Sequence, residues 1–199
     1  MSEDKAAKLE AIEAAVNHLK ESPLYEYRQR NNYQAVIGEG DLDAAIMFIG
    51  EAPGEQEAKS GRPFVGASGR VLNDLLATIG LERGDVYITN VVKDRPPDNR
   101  DPRVTEIELY TPFLLRQIEI VRPHVIATLG RFAMDFILRQ FELPLRGEKI
   151  SDLHGKPIAA QATYGEVVIL PLFHPAVALY SRDRKSTLEE DFQVLQRYI

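Results

Sequence analysis

The chain contains no cysteine. That excludes disulfides, a thiol nucleophile and every thiolate metal site. Histidine is sparse as well: four stand at positions 18, 124, 154 and 174, with no pair at ligand spacing. No bound metal is expected from such a set. Long apolar runs are missing, since none approaches the ~18 residues needed to span a bilayer. The opening MSEDKAAKLEAIEAAVNHLK is a polar helix pattern without the apolar centre of a secretory signal. Both points place the protein in the cytoplasm. A basic excess is absent too: 24 Lys and Arg against 30 Asp and Glu give a net charge of −6. This argues against a broad nucleic-acid footprint, although a compact patch needs to touch only a few phosphates. Basic residues do gather in three loop stretches, around Lys59, Arg62 and Arg70, around Lys93, Arg95, Arg100 and Arg103, and around Arg182, Arg184 and Lys185.

What is present fits one domain over residues 1–199, expected to be a monomer, with ample apolar residues for a core. Neither repeats nor a linker break it. Residues 3–20 read as an amphipathic helix, and 33–38 and 44–50 as short strands. Val71, Leu72, Leu75, Leu76 and Ile79 recur at helical spacing over 67–80, closed by Gly80. Residues 85–92 read as a strand of β-branched residues. The loop KDRPPDNRDPR that follows is too rich in proline to be helical. A helix over 104–121, a strand over 124–130 and a helix over 131–141 come next. Strands around 156–162 and 166–172 flank a Tyr164-Gly165 turn, and 187–198 form a last helix. Strands alternating with helices predict an α/β fold, a parallel sheet covered on both faces. Ligands of such sheets bind beyond the carboxyl ends of the strands. The loops 51–66, 93–103 and 173–185 fall there.

Three segments in those loops carry polar chemistry. Gly50-Glu51-Ala52-Pro53-Gly54 runs on to Gly61-Arg62-Pro63-Phe64-Val65-Gly66, where glycine and proline fix an irregular backbone. Phe64 in that loop is either a hydrophobic plug or a platform on which a flat base stacks. Asn90 closes the apolar run Ile88-Thr89-Asn90 and needs partners if buried. It either caps its own loop or reads a pyrimidine edge, because an amide donates and accepts at once. His174, in Phe173-His174-Pro175-Ala176, stands at a strand end, where a neutral ring can donate to a developing anion. Each signal is weak alone.

Taken in order and spacing, the runs GEAPGEQEAKSGRPFVG (50–66), VYITNVVKDRPPDNRDP (86–102), LLRQIEIVRPHVIATLG (114–130) and FHPA (173–176) resemble the uracil-DNA glycosylase superfamily, most closely its family four. The resemblance implies a three-layer fold around a four-stranded parallel sheet, uracil-containing DNA as the partner, and extrusion of the damaged nucleotide into a pocket. It implies that Phe64 stacks on uracil, that Asn90 reads its O4/N3 edge and rejects cytosine, and that His174 stabilises the departing base. Glu51 and Glu57 match the acidic positions of the first motif, as groups that orient water or stabilise a cationic sugar. Ala52 lines the uracil site where a better-known branch has an aspartate, so no base stands there. Gly66, Ser68 and Lys93 are expected at DNA phosphates. Pro175, Leu179, Tyr180 and Arg182 belong to the segment that enters the minor groove, with Leu179 or Tyr180 as the apolar wedge.

Family four also holds an iron-sulfur cluster on four cysteines. The matching positions here are Leu19, Ser22, Asp94 and Tyr110, none a usual cluster ligand, so no cluster is expected. A hydrophobic plug of Leu19, Leu24, Tyr25 and Tyr110 is the expected substitute. The 93–103 loop contains no histidine, which speaks against covalent trapping of the sugar. Excision without strand cleavage is the leading reading. A module of the same fold that binds uracil-DNA without turnover stays open. A phosphate hydrolase using the Gly-rich 50–69 loop lacks the Walker lysine spacing.

Overall fold

The computed structural model describes residues 2–145 and 147–199. The chain runs α1 (Ser2–Asn17), α2 (Pro23–Arg30), β1 (Glu39–Gly40), β2 (Ile46–Gly50), α3 (Glu55–Ser60), α4 (Ala67–Thr78), β3 (Tyr87–Asn90), α5 (Val104–Val121), β4 (Val125–Leu129), α6 (Arg131–Gln140), α7 (Ile150–Leu153), β5 (Ile158–Ala162), β6 (Gly165–Leu172) and α8 (Arg182–Gln193). Short 3-10 turns lie at Arg83–Asp85, Pro97–Asn99, Pro175–Leu179 and Val194–Tyr198. No helix among the described residues is long and apolar enough to cross a membrane.

Alternation along the strands creates the layers. Ile46 and Phe48 point to one face of the sheet, where Leu72, Leu75 and Leu76 of α4 and Leu188 and Phe192 of α8 cover them. Met47 and Ile49 point to the other face, against Ile12 and Val16 of α1, Leu114 and Ile118 of α5 and Ile137 of α6. Strands buried on both faces read as continuous apolar runs, as parallel strands between helices must. Each fully buried Leu or Phe contributes about 1.5–3 kcal/mol relative to exposure.

The sheet has six strands in the order β1-β3-β2-β4-β6-β5. This corrects the expected count of four. The four central strands are mutually parallel, while β1 and β5 add antiparallel edges. The strand expected over 33–38 does not form. That segment lies extended and makes isolated bonds, Gln34 N–H to the Ala58 carbonyl at 2.7 Å and Val36 N–H to the Lys93 carbonyl at 2.8 Å. Helix α2 was not foreseen, although Ser22 accepts from the Leu24 N–H and Pro23 occupies its first turn. The last helix begins at Arg182, capped by Ser181, rather than at 187.

The order matters for function. The chain passes from β2 to β3 on one side and then to β4 on the other side of β2. A crevice opens beyond the carboxyl ends at such a reversal. Gly50, Asn90, Gly130 and His174 end or follow those central strands.

Candidate active site

A cavity of about 440 Å³ occupies that crevice. Glu51 and Ala52 line it from the loop after β2, Asn90 from the end of β3, and His174 from the end of β6. Phe64, Glu57 and Ser68 complete much of the wall, with Leu179 and Tyr180 at its edge. A larger hollow at Phe141, Ala160 and Tyr198 contains none of these groups.

Gly50 and Asn90 are register partners on parallel strands. A Cβ on Gly50 would lie 2.4 Å from Asn90 Oδ1 and 2.6 Å from Phe64 Cζ. Only glycine lets the amide and the ring close over this strand end. Asn90 is 1 % exposed, and its Oδ1 is shut off from solvent with no hydrogen-bond partner among the described residues. An unsatisfied buried acceptor costs about 1–3 kcal/mol. A donor brought by a ligand removes that cost.

Phe64 has a left-handed backbone, φ +48°, which a bulky residue adopts only when its surroundings impose it. Two neighbours do so here. Arg83 donates to the Phe64 carbonyl at 3.0 Å and to the Pro63 carbonyl at 2.6 Å, and is itself held by Glu39 and by Asn73 Oδ1. Gly69 comes so close that a Cβ there would be 1.8 Å from the Phe64 carbonyl oxygen. The Phe64 ring then faces His174, with centroids 5.8 Å apart.

His174 caps the Pro175–Leu179 turn: its Nδ1 accepts from the Ala176 N–H at 3.2 Å. That bond leaves the ring proton on Nε2. Burial holds the imidazole below its ordinary pKa of 6.5, opposed by the negative charge of Glu57. The group is thus a neutral donor at physiological pH, suited to an oxygen that gains charge.

The two acids divide their tasks. Glu57 spends Oε1 on the Val65 and Gly66 N–H groups, at 2.9 and 2.8 Å, and so pins the loop to the start of α4. The Glu51 carbonyl accepts from the Val92 N–H at 3.0 Å, but its carboxylate makes no hydrogen bond among the described residues. Burial, and next the nearby Asp101, raise its pKa above 4.5, while Arg131 opposes them. A carboxylate that is half-buried and unengaged is free to meet water or a cation.

Several expected DNA contacts need correction. Lys93 is 0 % exposed and cannot reach a phosphate; its Nζ is used inside the protein. Pro175 is buried as the first residue of its turn. The Gly66 N–H is already donated to Glu57, whereas Ser68, half-buried in the same helix start, lines the cavity. Leu179 and Tyr180 are 44 % and 88 % exposed at the rim, and Arg182 is exposed nearby. The sequence reading missed Arg83, which looks like an ordinary surface arginine until its carbonyl partners are seen. It also missed Asn99, which reaches the cavity wall from the Pro-rich loop.

Comparison with known proteins fits this geometry. The family model described as the uracil DNA glycosylase superfamily matches residues 37–196. The chain belongs to the uracil-DNA glycosylase superfamily. Type-4 uracil-DNA glycosylases are similar over most of the chain. That of Sulfurisphaera tokodaii is 44% identical over 192 residues, 94% of this chain and 83% of the relative. That of Archaeoglobus fulgidus is 45% identical over 167 residues, 84% of this chain and 82% of the relative. That of Thermotoga maritima is 44% identical over 165 residues, 80% and 81% of the two chains.

The positions that match the glycosylase family's cluster cysteines do not fit a cluster. Three of them are spent on one another. Tyr110 OH donates to Asp94 Oδ2 at 2.6 Å, which leaves its oxygen to accept from Ser22 Oγ at 2.9 Å. Arg28 Nη1 donates to both Asp94 oxygens, at 2.9 and 3.1 Å, and Arg28 Nη2 donates to the Asn17 carbonyl at 2.8 Å. Burial pushes the Asp94 carboxyl up, and Arg28 and then Tyr110 oppose it. The expected apolar plug is therefore corrected. The end of α1, helix α2, the loop after β3 and α5 are tied by a buried polar clamp, with Leu19 and Leu24 packed beside it.

Proposed function

We propose that this chain excises uracil from DNA by hydrolysis of the N-glycosidic bond, leaving an abasic site and an unbroken strand. The observation that carries the reading is the Asn90 Oδ1, without a partner among the described residues, beside a cavity closed by an aromatic ring and a neutral imidazole. Uracil N3–H supplies the missing donor, and the other half of the amide donates to O4. Cytosine presents an acceptor at N3 and an amine at C4, so both bonds would fail. Rejection of an analogue that leaves such buried groups unpaired is strong.

The base enters after its nucleotide leaves the duplex. Tyr180 and Leu179 fill the gap from the minor groove, and Ser68 and Arg182 hold the strand near the cavity. Phe64 stacks on the ring. As the bond breaks, its electron pair passes to uracil N1 and spreads to O2 and O4, and C1′ becomes electron-poor. His174 Nε2–H stabilises the developing negative charge. Glu51 faces the cationic sugar and orients the water whose oxygen joins C1′; the water's second proton leaves through the carboxylate to solvent. Ala52 contributes shape only. Loss of one such electrostatic group typically costs about 3–4 kcal/mol, so the remaining groups suffice.

Strand cleavage would need an amine with a free lone pair at C1′. Lys93 has its donors engaged inside the protein, and Lys59 pairs with Glu55 at 2.6 Å. These engagements support a monofunctional enzyme.

The test is release of free uracil from a labelled oligonucleotide by the wild type, Asn90→Ala and His174→Ala. Alkali-sensitive sites with wild type, reduced about 100-fold or more in either variant, support the reading. Retention of uracil-DNA without release by the wild type would instead make this a binding module.

A further inference from the structure

Behind the Asn90 main chain lies a polar group that the reaction above does not use. Lys93 Nζ donates to the Asn90 carbonyl at 2.7 Å, to Thr89 Oγ1 at 2.7 Å and to Gln117 Oε1. The two side-chain oxygens are fixed as acceptors. Thr89 gives its own proton to the Ile37 carbonyl at 2.6 Å. Gln117 Nε2 donates to the Ile37 carbonyl at 2.9 Å and to Tyr87 OH at 3.0 Å, which turns Oε1 toward the lysine. Three acceptors around one nitrogen call for three N–H bonds, the pattern of an ammonium and not of a neutral amine. Among the described residues no carboxylate pairs with it. Burial pushes the lysine pKa well below its ordinary value; hydrogen bonds to a charged form favour it, and it is the three-acceptor geometry that argues for the ammonium here.

We propose that Lys93 is a positioning residue for the chemical step: it locks the Asn90 peptide through its carbonyl and places an uncompensated positive charge behind the main chain of the residue whose side chain reads the base. The inference rests on the excision reading above. Negative charge reaches O4 of uracil only as the glycosidic bond breaks. A cation behind Asn90 attracts that charge through the field it sets up across the pocket wall, and its pull grows as the charge develops. In a water-excluded site the effect is large, and it favours the transition state over the bound substrate. The same engagement of all three protons removes Lys93 as a nucleophile.

The experiment compares wild type and Lys93→Met on one oligonucleotide carrying either uracil or 5-fluorouracil, under single-turnover conditions. Fluorine stabilises the leaving anion by itself, so that substrate depends less on help from the protein. The expected result is a fall of about 10–100-fold in the uracil rate, with a much smaller fall for 5-fluorouracil. Substrate affinity should change by only about threefold, because the lost interaction belongs to the transition state. Equal losses on both bases would overturn the charge role. Because the chain has no other thiol, Lys93→Cys offers a second route. Alkylation in denaturant with 2-bromoethylamine, followed by refolding, rebuilds a lysine-like side chain; iodoacetamide builds a neutral one. Only the aminoethylated protein should regain rate. A refolded aminoethylated protein that stays as slow as the neutral one overturns the proposal. Failure of the wild type to release uracil would overturn the excision reading instead.

Discussion

Tyr110→Phe isolates the clamp at its centre. The substitution removes one oxygen from a fully buried side chain and leaves the ring, so packing changes little. It takes away the 2.6 Å bond to the Asp94 carboxylate and leaves Ser22 Oγ without its 2.9 Å acceptor. Hydrogen bonds to charged groups contribute about 1.5–3 kcal/mol. In a protein of this size about 2 kcal/mol lowers Tm by roughly 4–8 °C. Asp94→Asn should cost more, about 3–5 kcal/mol, because Arg28 stays behind as a buried cation; the arginine is 3 % exposed. Thermal and urea unfolding of both single variants and the double variant form a cycle. Groups in one network couple by about 0.5–3 kcal/mol, so the double variant should lose less than the two losses added. A Tyr110→Phe protein within about 0.5 kcal/mol of wild type, or strictly additive losses, would refute the idea that this network holds the N-terminal helices to the loop after β3.

Other expectations follow from the same geometry. Gly50→Ala should weaken uracil release at least about tenfold while costing about 1–3 kcal/mol in stability, because the methyl group overpacks against the buried Asn90 amide and Phe64 ring; steady-state kinetics beside urea unfolding would show it. On the acid side, activity should fall as His174 gains a proton below pH 6.5 and as Glu51 gains one above pH 4.5. Glu51→Gln should make that limb of the pH–rate profile less steep. The stability tied to neutral His174 is complete above pH 6.5 and is lost as pH falls toward the lower folded value. Leu179→Ala with Tyr180→Ala should slow excision from duplex DNA about tenfold or more and spare single strands, where no stack has to be filled; equal effects on both substrates would remove these residues as the wedge.

The parallel core was legible because its strands are short, mostly apolar runs, and α4 because its leucines recur at helical spacing. The edges were not. Strand β1 is only Glu39–Gly40, too short for any pattern, and 33–38, although strand-like in sequence, stays outside the sheet because its extended backbone bonds to two separate segments. At the site, Phe64, Asn90 and His174 were found from motif order, and the structure brings them to one cavity. Lys93 was misread because a lysine in a basic loop normally faces water. Its acceptors come from β3 and α5, and no local pattern shows that they enclose it. The clamp was misread for a related reason: Arg28 lies far along the chain from Asp94, in a helix that the hydrophobic periodicity did not reveal.

The turn from Pro175 to Leu179 is only five residues long, begins on the imidazole and ends beside Tyr180. The ring orientation and the exposed rim are therefore set by one short piece of backbone, because the Ala176 N–H that fixes the imidazole belongs to the same turn. A substitution that re-lays this turn should move the ring and the rim together.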